Sequence, residues 1–279
     1  MFARSYLYVP ADNAERLAKS VNRGADALII DLEDGVSKTN KELARKNLAE
    51  FFAQVDPATQ IWVRVNSGPE ELAKDLEASV HKNCQGIVLT KVSSSAEIEN
   101  LASLLATLEQ QRGLESRIEI SALVETATGI LNAHEIACAT RVTRLQIGEA
   151  DLSAELGISG AGAESTKQFA RNMIIFASAA AGINPPLAAI SADFKDLAEF
   201  RRTTMQFKEW GYLGRSCIHP DQILIVNEVF TPSKVELENA QDLLDRLSAA
   251  GGGVALDANG RMIDEAFAKA ARRTIEMGR

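Results

Sequence analysis

Acidic side chains follow two apolar segments in the middle of the chain, at the point where each segment ends. Glu125 follows residues 118–124, and Asp151 follows the strand-like residues 145–147. Short apolar segments of this kind are typical of parallel strands that are covered on both faces. The two carboxylates are 26 residues apart, so neighbouring strands, ~4.8 Å apart, would bring both to the same edge of a sheet. This pattern predicts a shared site for a divalent cation.

We expect the cation to be Mg²⁺. Magnesium accepts one or two carboxylates together with waters and substrate oxygens, whereas Zn²⁺ usually binds His or Cys. The sequence therefore predicts Glu125 and Asp151 as the metal ligands. In the alternative interpretation, these two carboxylates form structural ion pairs with Arg64 or Lys91.

Other predicted strands are also followed by ionisable side chains, which would meet at one rim. Arg64 carries a planar guanidinium suited to a substrate carboxylate or carbonyl oxygen, and we predict that it binds substrate. Lys91 is a poorer bidentate donor, and a salt bridge to an acidic neighbour is its alternative role. His219 has no second histidine at metal spacing, which favours a structural, hydrogen-bonded role. The remaining candidates for substrate binding at this rim are Glu33, Asp34 and, in addition to its metal role, Glu125.

Eight strand-like segments alternate with segments of helical character, at intervals of roughly 25–35 residues, which predicts a (β/α)₈ TIM barrel. In such a barrel the catalytic groups lie at the carboxyl ends of the strands. The alternative is a doubly wound open sheet, which usually has a glycine-rich turn after its first strand, and residues 9–13 contain no glycine. The predicted strands are 5–9, 27–32, 61–65, 86–89, 118–124, 145–147, 186–190 and 214–218. The predicted helices are 13–22, 41–52, 69–80, 96–111, 130–139, 164–181, 197–210 and 221–229.

The chain is predicted to divide into a barrel domain, residues 1–231, and a C-terminal extension, residues 232–279. A helix in the extension should end near Ala250, at the three glycines 251–253. An Asn259-Gly260 turn then predicts a short hairpin, and a final helix is expected over 265–276. We interpret the extension as a helical and hairpin appendage to the barrel.

The composition limits the function classes. The 279 residues carry a net charge of −8 and contain no concentrated run of Lys and Arg, so we expect no nucleic-acid partner. The three cysteines are widely spaced, which supports neither a disulfide framework nor a thiolate zinc site. We see no signal-peptide core and no apolar segment near the ~20 residues of a membrane span. These features predict a cytoplasmic protein without a membrane partner.

With these residues identified, the sequence resembles the citrate lyase beta-subunit family, the CoA-thioester carbon–carbon lyases of the HpcH/HpaI aldolase superfamily that include malyl-CoA and citramalyl-CoA lyases. The resemblance covers most of the chain, and the motifs are specific when taken together. The motifs are Arg4-Ser-x-Leu-x-Val-Pro10, Asp31-Leu-Glu-Asp34 with Lys41 and Ala44-Arg45, Arg64-Val-Asn66, Glu125-Thr126-x-x-Gly129-x-x-Asn132, Gly148-x-x-Asp151-Leu and Ile218-His-Pro-x-Gln222.

The resemblance implies a Mg²⁺-dependent barrel, usually trimeric, with Glu125 and Asp151 on the metal and Arg64 on the substrate. It also implies that the segment ending in Asp264 is a lid, whose aspartate acts as acid or base in the site of a neighbouring protomer. The chain departs from the family pattern at three positions: Thr90 precedes Lys91 where proline is common, residues 187–191 lack a common aspartate, and no proline follows Asp264. The missing aspartate removes a charge from the rim and so affects substrate preference.

The expected reaction is reversible cleavage of a 3-hydroxyacyl-CoA, of the citramalyl-CoA or malyl-CoA type, into acetyl-CoA and a 2-keto acid such as pyruvate or glyoxylate. Arg64 and Asp264 are the expected catalytic residues. Three alternatives stay open: a citrate lyase beta subunit acting on a citryl-acyl-carrier-protein thioester, a malyl-CoA thioesterase, and a non-catalytic thioester-binding paralogue.

Overall fold

Eight parallel strands follow one another around a single sheet, and helices cover its outer face. The computed structural model describes residues 3–278. The strands are β1 (Ser5–Pro10), β2 (Ala27–Asp31), β3 (Gln60–Val65), β4 (Gly86–Leu89), β5 (Glu119–Val124), β6 (Val142–Ile147), β7 (Asn184–Leu187) and β8 (Arg215–Cys217). Each strand pairs in parallel with the next from β1 to β7, and β8 pairs with β1.

The sheet closes on itself between β7 and β8. Ala188, directly after β7, forms a parallel bridge with Arg215. The backbone N–H of Ala188 donates to the carbonyl of Gly214 at 3.1 Å, and the N–H of Ser216 donates to the carbonyl of Ala188 at 3.2 Å. The closure confirms the predicted TIM barrel and excludes the open doubly wound sheet.

The helices follow the strands in the expected alternation. They are α1 (Ala14–Ser20), α2 (Lys41–Gln54), α3 (Pro69–Ser79), α4 (Ser95–Arg112), α5 (Ala127–Leu131), α6 (Ala133–Ala137), α7 (Glu149–Leu156), α8 (Ala163–Ala181), α9 (Leu197–Trp210), α10 (Pro220–Phe230), α11 (Lys234–Ala249) and α12 (Glu265–Met277), with a 3₁₀ turn at Lys38–Asn40 before α2. No helix within residues 3–278 has the length and apolar character needed to cross a lipid bilayer.

Alternation along each strand divides the buried side chains between two layers. Outward-facing residues such as Leu7 and Val63 join the main core under the helices. Inward-facing residues such as Ile29 and Trp62 form a second apolar cluster inside the barrel. Trp62 is paired in register with Gly86, and a Cβ on that glycine would lie 2.3 Å from the indole ring. The glycine therefore makes room for the largest side chain of the interior.

Two local features differ from the sequence prediction. The single helix predicted over 130–139 is instead the pair α5 and α6, which meet at Asn132, whose side-chain amide donates to the carbonyl of Ser93 at 2.8 Å. The segment after β6 forms α7, which we had not predicted. This helix has only 8 residues and ends at Gly157 with φ +65°. The helix was not predicted because it is too short to show a clear apolar periodicity. It is favoured by the acidic residues of its first turn, which interact well with the positive end of the helix dipole.

The C-terminal extension packs mainly upon itself. Helices α11 and α12 lie against each other, and the hairpin of β9 (Ala255–Leu256) and β10 (Met262–Ile263) connects them. Leu247, Ile263 and Ala268 form a small apolar cluster separate from the barrel core. The predicted hairpin and final helix are present, while the exact domain boundary at residue 231 stays a prediction.

Candidate active site

Glu125 lies at the carboxyl end of β5 and is almost completely buried, with 3% of its surface exposed. Its Oε1 accepts a hydrogen bond from the backbone N–H of Lys91 at 2.9 Å. Burial raises the pKa of Glu125 to about 8, and the nearby negative charge of Asp151 contributes to this rise. Within residues 3–278 no Lys, Arg or His side chain forms an ion pair with Glu125 or Asp151. The structural ion pairs considered as an alternative for this couple are therefore absent from the described part of the chain.

Gly148 allows the two carboxylates to approach each other. It lies between β6 and α7, and a Cβ at this position would be 2.3 Å from Oε2 of Glu125. Asp151 is in the first turn of α7 and is exposed to solvent. The sequence pattern predicts Asp151 at the end of a strand, whereas in the structure Asp151 belongs to the first turn of helix α7. The pair nevertheless comes together at the carboxyl end of the barrel.

Glu149, two residues before Asp151, has a different role. Its carboxylate accepts two hydrogen bonds from Arg171, from Nε and Nη2, each at 2.7 Å. Residues two apart in a helix are separated by about 200° around its axis. The ion pair fixes the start of α7 against α8 and directs Asp151 away from α8, toward the space beside Glu125.

The donor set at this pair fits Mg²⁺. Glu125 is a buried carboxylate without a cationic partner among the described residues, and it lines the same cavity as Asp151. In the part of the chain that the structure describes, no group of three or more His, Cys, Asp or Glu side chains could enclose a metal. Two carboxylates leave most coordination positions for water and substrate, as Mg²⁺ prefers. A divalent cation would also remove the repulsion between the two acidic groups.

Arg64, at the end of β3, is held by two acidic residues. Its Nε and Nη2 donate to the carboxylate of Asp31 at 2.8 and 2.6 Å. Its Nη1 lies 3.2 Å from Glu33, and the guanidinium stacks over the ring of Tyr8 at 4.9 Å. We expected the bidentate edge of Arg64 to receive a substrate carboxylate, but Asp31 occupies that edge. Substrate binding by Arg64 therefore stays a prediction.

Glu33 and Asp34 contact the cations of the rim. Glu33 is buried and pairs with Lys91 Nζ at 2.5 Å, whereas Asp34 is exposed and pairs with the same nitrogen at 3.2 Å. This is the salt bridge that the sequence analysis gave as the alternative role of Lys91. Neither carboxylate lines the cavity described below, and their assignment to substrate binding stays a prediction.

Lys41 supports the loop that carries these acidic residues. Its Nζ donates to the backbone carbonyls of Leu32 and Glu33 at 2.6 and 2.7 Å, and to Oδ1 of Asn66 at 3.0 Å. Asn66 in turn receives support from Asp75, which accepts hydrogen bonds from its backbone N–H and its side-chain amide. These contacts give the motif residues Lys41 and Asn66 a positioning role at the rim.

The motif that begins at Glu125 fastens α5 to the loop after β4. The hydroxyl of Thr126 accepts a hydrogen bond from the N–H of Gly129 and lies 3.0 Å from the hydroxyl of Ser93. Gly129 is required by close packing, because a Cβ there would lie 2.3 Å from the carbonyl oxygen of Val92. The motif thereby fixes the loop after β4, in which the backbone N–H of Lys91 donates a hydrogen bond to Glu125.

A cavity of about 280 Å³ opens beside this cluster. Asp31, Arg64, Glu125 and Asp151 line its polar side. Apolar side chains line the other side, among them Leu123, Ile190 and Ile218. Ile190 lies in the segment after β7 that lacks the aspartate common in the family that the sequence resembles.

A larger adjoining cavity, of about 700 Å³, contains three cations that the sequence analysis did not single out. Arg16, Lys19 and Arg23 line it along α1 and the turn that follows. Arg16, Tyr8, Pro10 and Ile218 line both cavities, so the two are continuous. The spacing of three residues puts Arg16 and Lys19 on one face of α1, and Arg23 follows in the turn. The spacing of Arg16 and Lys19 in the predicted helix 13–22 was the sequence feature that could have identified this region.

Two other candidates lie apart from the carboxylate pair. His219 is the N-cap of α10, where its Nδ1 accepts a hydrogen bond from the N–H of Asp221 at 3.3 Å and its ring stacks on Phe194. This confirms its structural role. Asp264 is the N-cap of α12 and accepts a hydrogen bond from the N–H of Ala266 at 2.9 Å. None of residues 232–278 lines the cavity beside Glu125, so Asp264 does not reach the site of its own chain in this structure.

Comparison with known proteins gives a consistent result. The family described as HpcH/HpaI aldolase/citrate lyase matches residues 4–220. A (3S)-malyl-CoA thioesterase of Cereibacter sphaeroides is 34% identical over 277 residues, which cover 98% of this chain and 93% of the relative. An L-malyl-CoA/beta-methylmalyl-CoA lyase of Rhodobacter capsulatus is 28% identical over 306 residues, which cover 99% of this chain and 95% of the relative. The crystal structure of protein CitE from Mycobacterium tuberculosis, in complex with magnesium, acetoacetate and coenzyme A, has a TM-score of 0.80 and 30% identity, covering 99% of this chain and 98% of that chain.

Proposed function

Because the chain belongs to the HpcH/HpaI aldolase/citrate lyase family, we propose that it is a Mg²⁺-dependent carbon–carbon lyase that cleaves a 3-hydroxyacyl-CoA into acetyl-CoA and a 2-keto acid. The observation that carries this proposal is the buried carboxylate of Glu125, which has no cationic partner among the described residues and lines one cavity together with Asp151. The magnesium in the related CitE structure supports the choice of metal.

Glu125 and Asp151 would hold the metal, with water or substrate oxygens in its other positions. When bound, Mg²⁺ supplies positive charge that orients the carboxylate and hydroxyl oxygens of a substrate and lowers the pKa of that hydroxyl. In the overall reaction the hydroxyl loses its proton, the bond between C2 and C3 of the acyl chain breaks, and its electron pair passes to the thioester as an enolate. The enolate then gains a proton at carbon and becomes acetyl-CoA.

Arg64 is the residue of this chain best placed to stabilise negative charge during the cleavage. Asp31 and the ring of Tyr8 fix its guanidinium, so the positive charge needs no reorganisation when an oxyanion develops nearby. Glu33 forms salt bridges with both Arg64 and Lys91, so its negative charge partly neutralises these two cations. In this proposal Arg64 is catalytic through direct contact with the thioester or keto oxygen.

The cationic face of α1 is suited to the nucleotide part of coenzyme A. A CoA thioester carries phosphate groups at one end and the reacting acyl group at the other, and the two continuous cavities separate a phosphate-binding region from a carboxylate-lined one. Arg16, Lys19 and Arg23 provide the positive charge for the first region. The names of the two relatives, and the coenzyme A bound to CitE, support a CoA substrate.

Among the acyl groups, the cavity walls favour citramalyl-CoA, which yields pyruvate, over malyl-CoA, which yields glyoxylate. The two substrates differ by one methyl group. Ile190 and Ile218 give the cavity apolar walls, and burial of one methyl or methylene group contributes ~0.8 kcal/mol. We propose that this contact sets the substrate preference.

The C-terminal extension would complete the site in an oligomer. Asp264 does not reach the site of its own protomer, so an acid or base role requires a second copy of the chain. We propose a homo-oligomer, a trimer or a multiple of it, in which the extension of one protomer covers the cavity of the next as a lid, excluding water and delivering Asp264 to the acetyl carbon. A cytoplasmic location is part of the same proposal.

A panel of CoA thioesters tests the activity. Purified protein should release a 2-keto acid and acetyl-CoA from citramalyl-CoA, more slowly from malyl-CoA, and only with Mg²⁺ present. Lack of keto acid from every 3-hydroxyacyl-CoA in the panel, with folded protein that binds Mg²⁺, would exclude the lyase. Including a citryl-acyl-carrier-protein thioester in the panel distinguishes a citrate lyase beta subunit.

Thioester hydrolysis is a second candidate, because one relative is named a (3S)-malyl-CoA thioesterase. In that reaction water attacks the thioester carbonyl of malyl-CoA, and the products are malate and free CoA. The ratio of free CoA to acetyl-CoA among the products separates the two activities. A lyase produces one acetyl-CoA for each keto acid and no free thiol.

A further inference from the structure

A separate cavity lies at the N-terminal mouth of the barrel, at the end opposite to the candidate active site. Its volume is about 170 Å³, and residues at or near the starts of strands line it. Trp62 is in its wall, whereas Leu123 is in the wall of the active-site cavity. Both belong to the apolar cluster that fills the barrel interior, so the interior side chains separate the two cavities.

Arg144 in this cavity has fewer hydrogen-bond acceptors than the other buried arginines among residues 3–278. Arg45 and Arg171 pair with carboxylates, and Arg215 donates to backbone carbonyls and threonine hydroxyls. Arg144 has 5% of its surface exposed, and within residues 3–278 it donates only from Nη1 to the hydroxyl of Tyr6 at 2.8 Å. Its guanidinium also lies over the Tyr6 ring, 5.4 Å from the centroid. A buried guanidinium with a single neutral acceptor is costly unless another partner completes it.

Arg144 lines the cavity, and its Nε and Nη2 have no acceptor among residues 3–278. Nε and Nη2 form the edge of the guanidinium that binds a carboxylate through two parallel hydrogen bonds.

Two other charged groups are relevant to this edge. Arg273 on α12 is exposed to solvent and does not line the cavity. Desolvation lowers its pKa, and the positive charge of Arg144 lowers it further, so the two cations are near each other. No carboxylate within residues 3–278 forms an ion pair with Arg273. Glu119 is the acidic group in the cavity wall, and it accepts hydrogen bonds from Gln85 and from the hydroxyl of Thr143 at 2.8 Å. Arg144, which has no acidic partner among residues 3–278, thus shares the cavity with one carboxylate that is already hydrogen-bonded.

We propose that this cavity is a binding site for a small carboxylate, which Arg144 holds through Nε and Nη2. Arg273 on α12 adds positive charge near the site without lining it. The volume suits a compact anion of roughly two to four carbon atoms, since one water accounts for about 30 Å³. The site is independent of the lyase proposal, because no residue is shared with the candidate active site.

Fluorescence of Trp62 provides a local probe of the cavity. The chain contains two tryptophans, so Trp210→Phe leaves Trp62 as the only reporter. Metal-free, full-length protein is titrated with acetate, pyruvate and inorganic phosphate at constant ionic strength, with acetamide as the uncharged control. Acetate and pyruvate should give saturable changes, and acetamide should give none.

Two variants test the assigned contacts. Arg144→Lys keeps the charge but loses the bidentate edge, and it should weaken carboxylate binding by at least ~10-fold. Arg273→Ala changes an exposed side chain and should weaken binding several-fold, which keeps the proposal testable if the Arg144 variant does not fold. Arg272→Ala, the neighbouring exposed arginine that pairs with Glu265, is the matched control and should bind normally.

Three results would overturn the proposal. The first is a fluorescence change that does not saturate with any carboxylate. The second is saturable binding that Arg273→Ala and a folded Arg144→Lys leave unaltered. The third is saturation by phosphate but not by acetate or pyruvate, which would show a site for tetrahedral anions. Because the readout involves neither Mg²⁺ nor turnover, failure here would leave the lyase proposal untouched, and failure of the lyase assay would leave this one untouched.

Discussion

The backbone N–H of Lys91 donates to Oε1 of Glu125 at 2.9 Å, and Lys91 makes this contact with a left-handed φ of +56°. Left-handed backbone is uncommon for residues other than glycine. The contact joins the ends of β4 and β5 and fixes one oxygen of the buried carboxylate. The other oxygen lies against Gly148 and is available to a metal. The side chain of the same lysine extends to Glu33 and Asp34, so one strained residue connects the candidate metal ligand with the acidic loop after β2.

Substitution of either proposed metal ligand should abolish Mg²⁺-dependent turnover. We expect Glu125→Gln and Asp151→Ala each to lower kcat/KM by at least ~100-fold. Loss of a group that only supports a metal ligand already lowers activity by up to ~100-fold, and loss of the ligand itself should lower it at least as much. Calorimetric titration with Mg²⁺ should show the same loss of binding. Glu155→Gln, at another acidic side chain of α7, is the control and should retain activity. A metal-dependent activity that survives both ligand substitutions would contradict the proposed site.

The raised pKa of Glu125, about 8, predicts an unusual pH dependence for the metal-free protein. A carboxyl group whose pKa is higher in the folded than in the unfolded state keeps its proton on folding. The folded state therefore binds more protons between the two pKa values, and its stability falls as pH rises from the usual carboxyl range toward 8. Urea unfolding of wild type and Glu125→Gln should show this slope in the wild type and a shallower slope in the variant.

Mg²⁺ binding should show the converse dependence. Below pH 8 the cation must displace the proton of Glu125, so affinity should rise by up to about tenfold per pH unit and level off above pH 8. Calorimetry in buffers of different ionisation enthalpy should detect the released proton. Affinity that does not change between pH 6 and pH 8 would show that Glu125 is already ionised in the metal-free protein.

Gly148→Ala tests the close approach at the metal site. The new Cβ would lie 2.3 Å from Oε2 of Glu125, so the carboxylate must move, and we expect weaker Mg²⁺ binding and turnover reduced by ~10-fold or more. Gly162→Ala is the matched control, because no atom lies within 4 Å of a Cβ at that position. Both variants should be compared by thermal unfolding, to separate a local effect from a loss of folding.

Substitution of the cations along α1 should affect substrate binding more than chemistry. We expect Arg16→Ala and Lys19→Ala to raise KM for a CoA thioester several-fold with a small change in kcat, since they contact a part of the substrate remote from the reacting bond. A pantetheine thioester, which lacks the nucleotide, should be insensitive to both changes. Lys234→Ala, at an exposed lysine of the extension, serves as the control. Equal effects on both thioesters would argue against a phosphate-binding role.

Mixing two inactive variants tests whether Asp264 acts in a neighbouring protomer. If each site combines Arg64 of one chain with Asp264 of another, random mixing of Arg64→Ala and Asp264→Ala chains should restore about a quarter of wild-type activity. The mixture must be unfolded and refolded together so that subunits exchange, and each variant treated alone is the control. Absence of recovery in verified mixed oligomers would place Asp264 outside the shared site.

The sequence determined the barrel and predicted the acidic couple of its candidate metal site. The order of the strands was predicted from eight apolar segments whose spacing matches strand-helix units. Glu125 and Asp151 were identified because the carboxyl ends of parallel strands lie at the same rim of the barrel. These features depend on local composition and on spacing, both of which can be read along the chain. The structural role of His219 also followed, since an N-cap depends on its immediate neighbours.

Other features depend on contacts between residues that are distant in sequence, and only the tertiary structure decided them. Asp31 occupies the bidentate edge of Arg64, although the two are 33 residues apart. Arg144 meets Tyr6 across 138 residues, so nothing near either residue marks the cavity at the N-terminal mouth. The short helix α7 was missed because its position is fixed by the ion pair between Glu149 and Arg171 rather than by its own periodicity. Charge pairing and burial are properties of the closed barrel, since each requires side chains that only closure brings together.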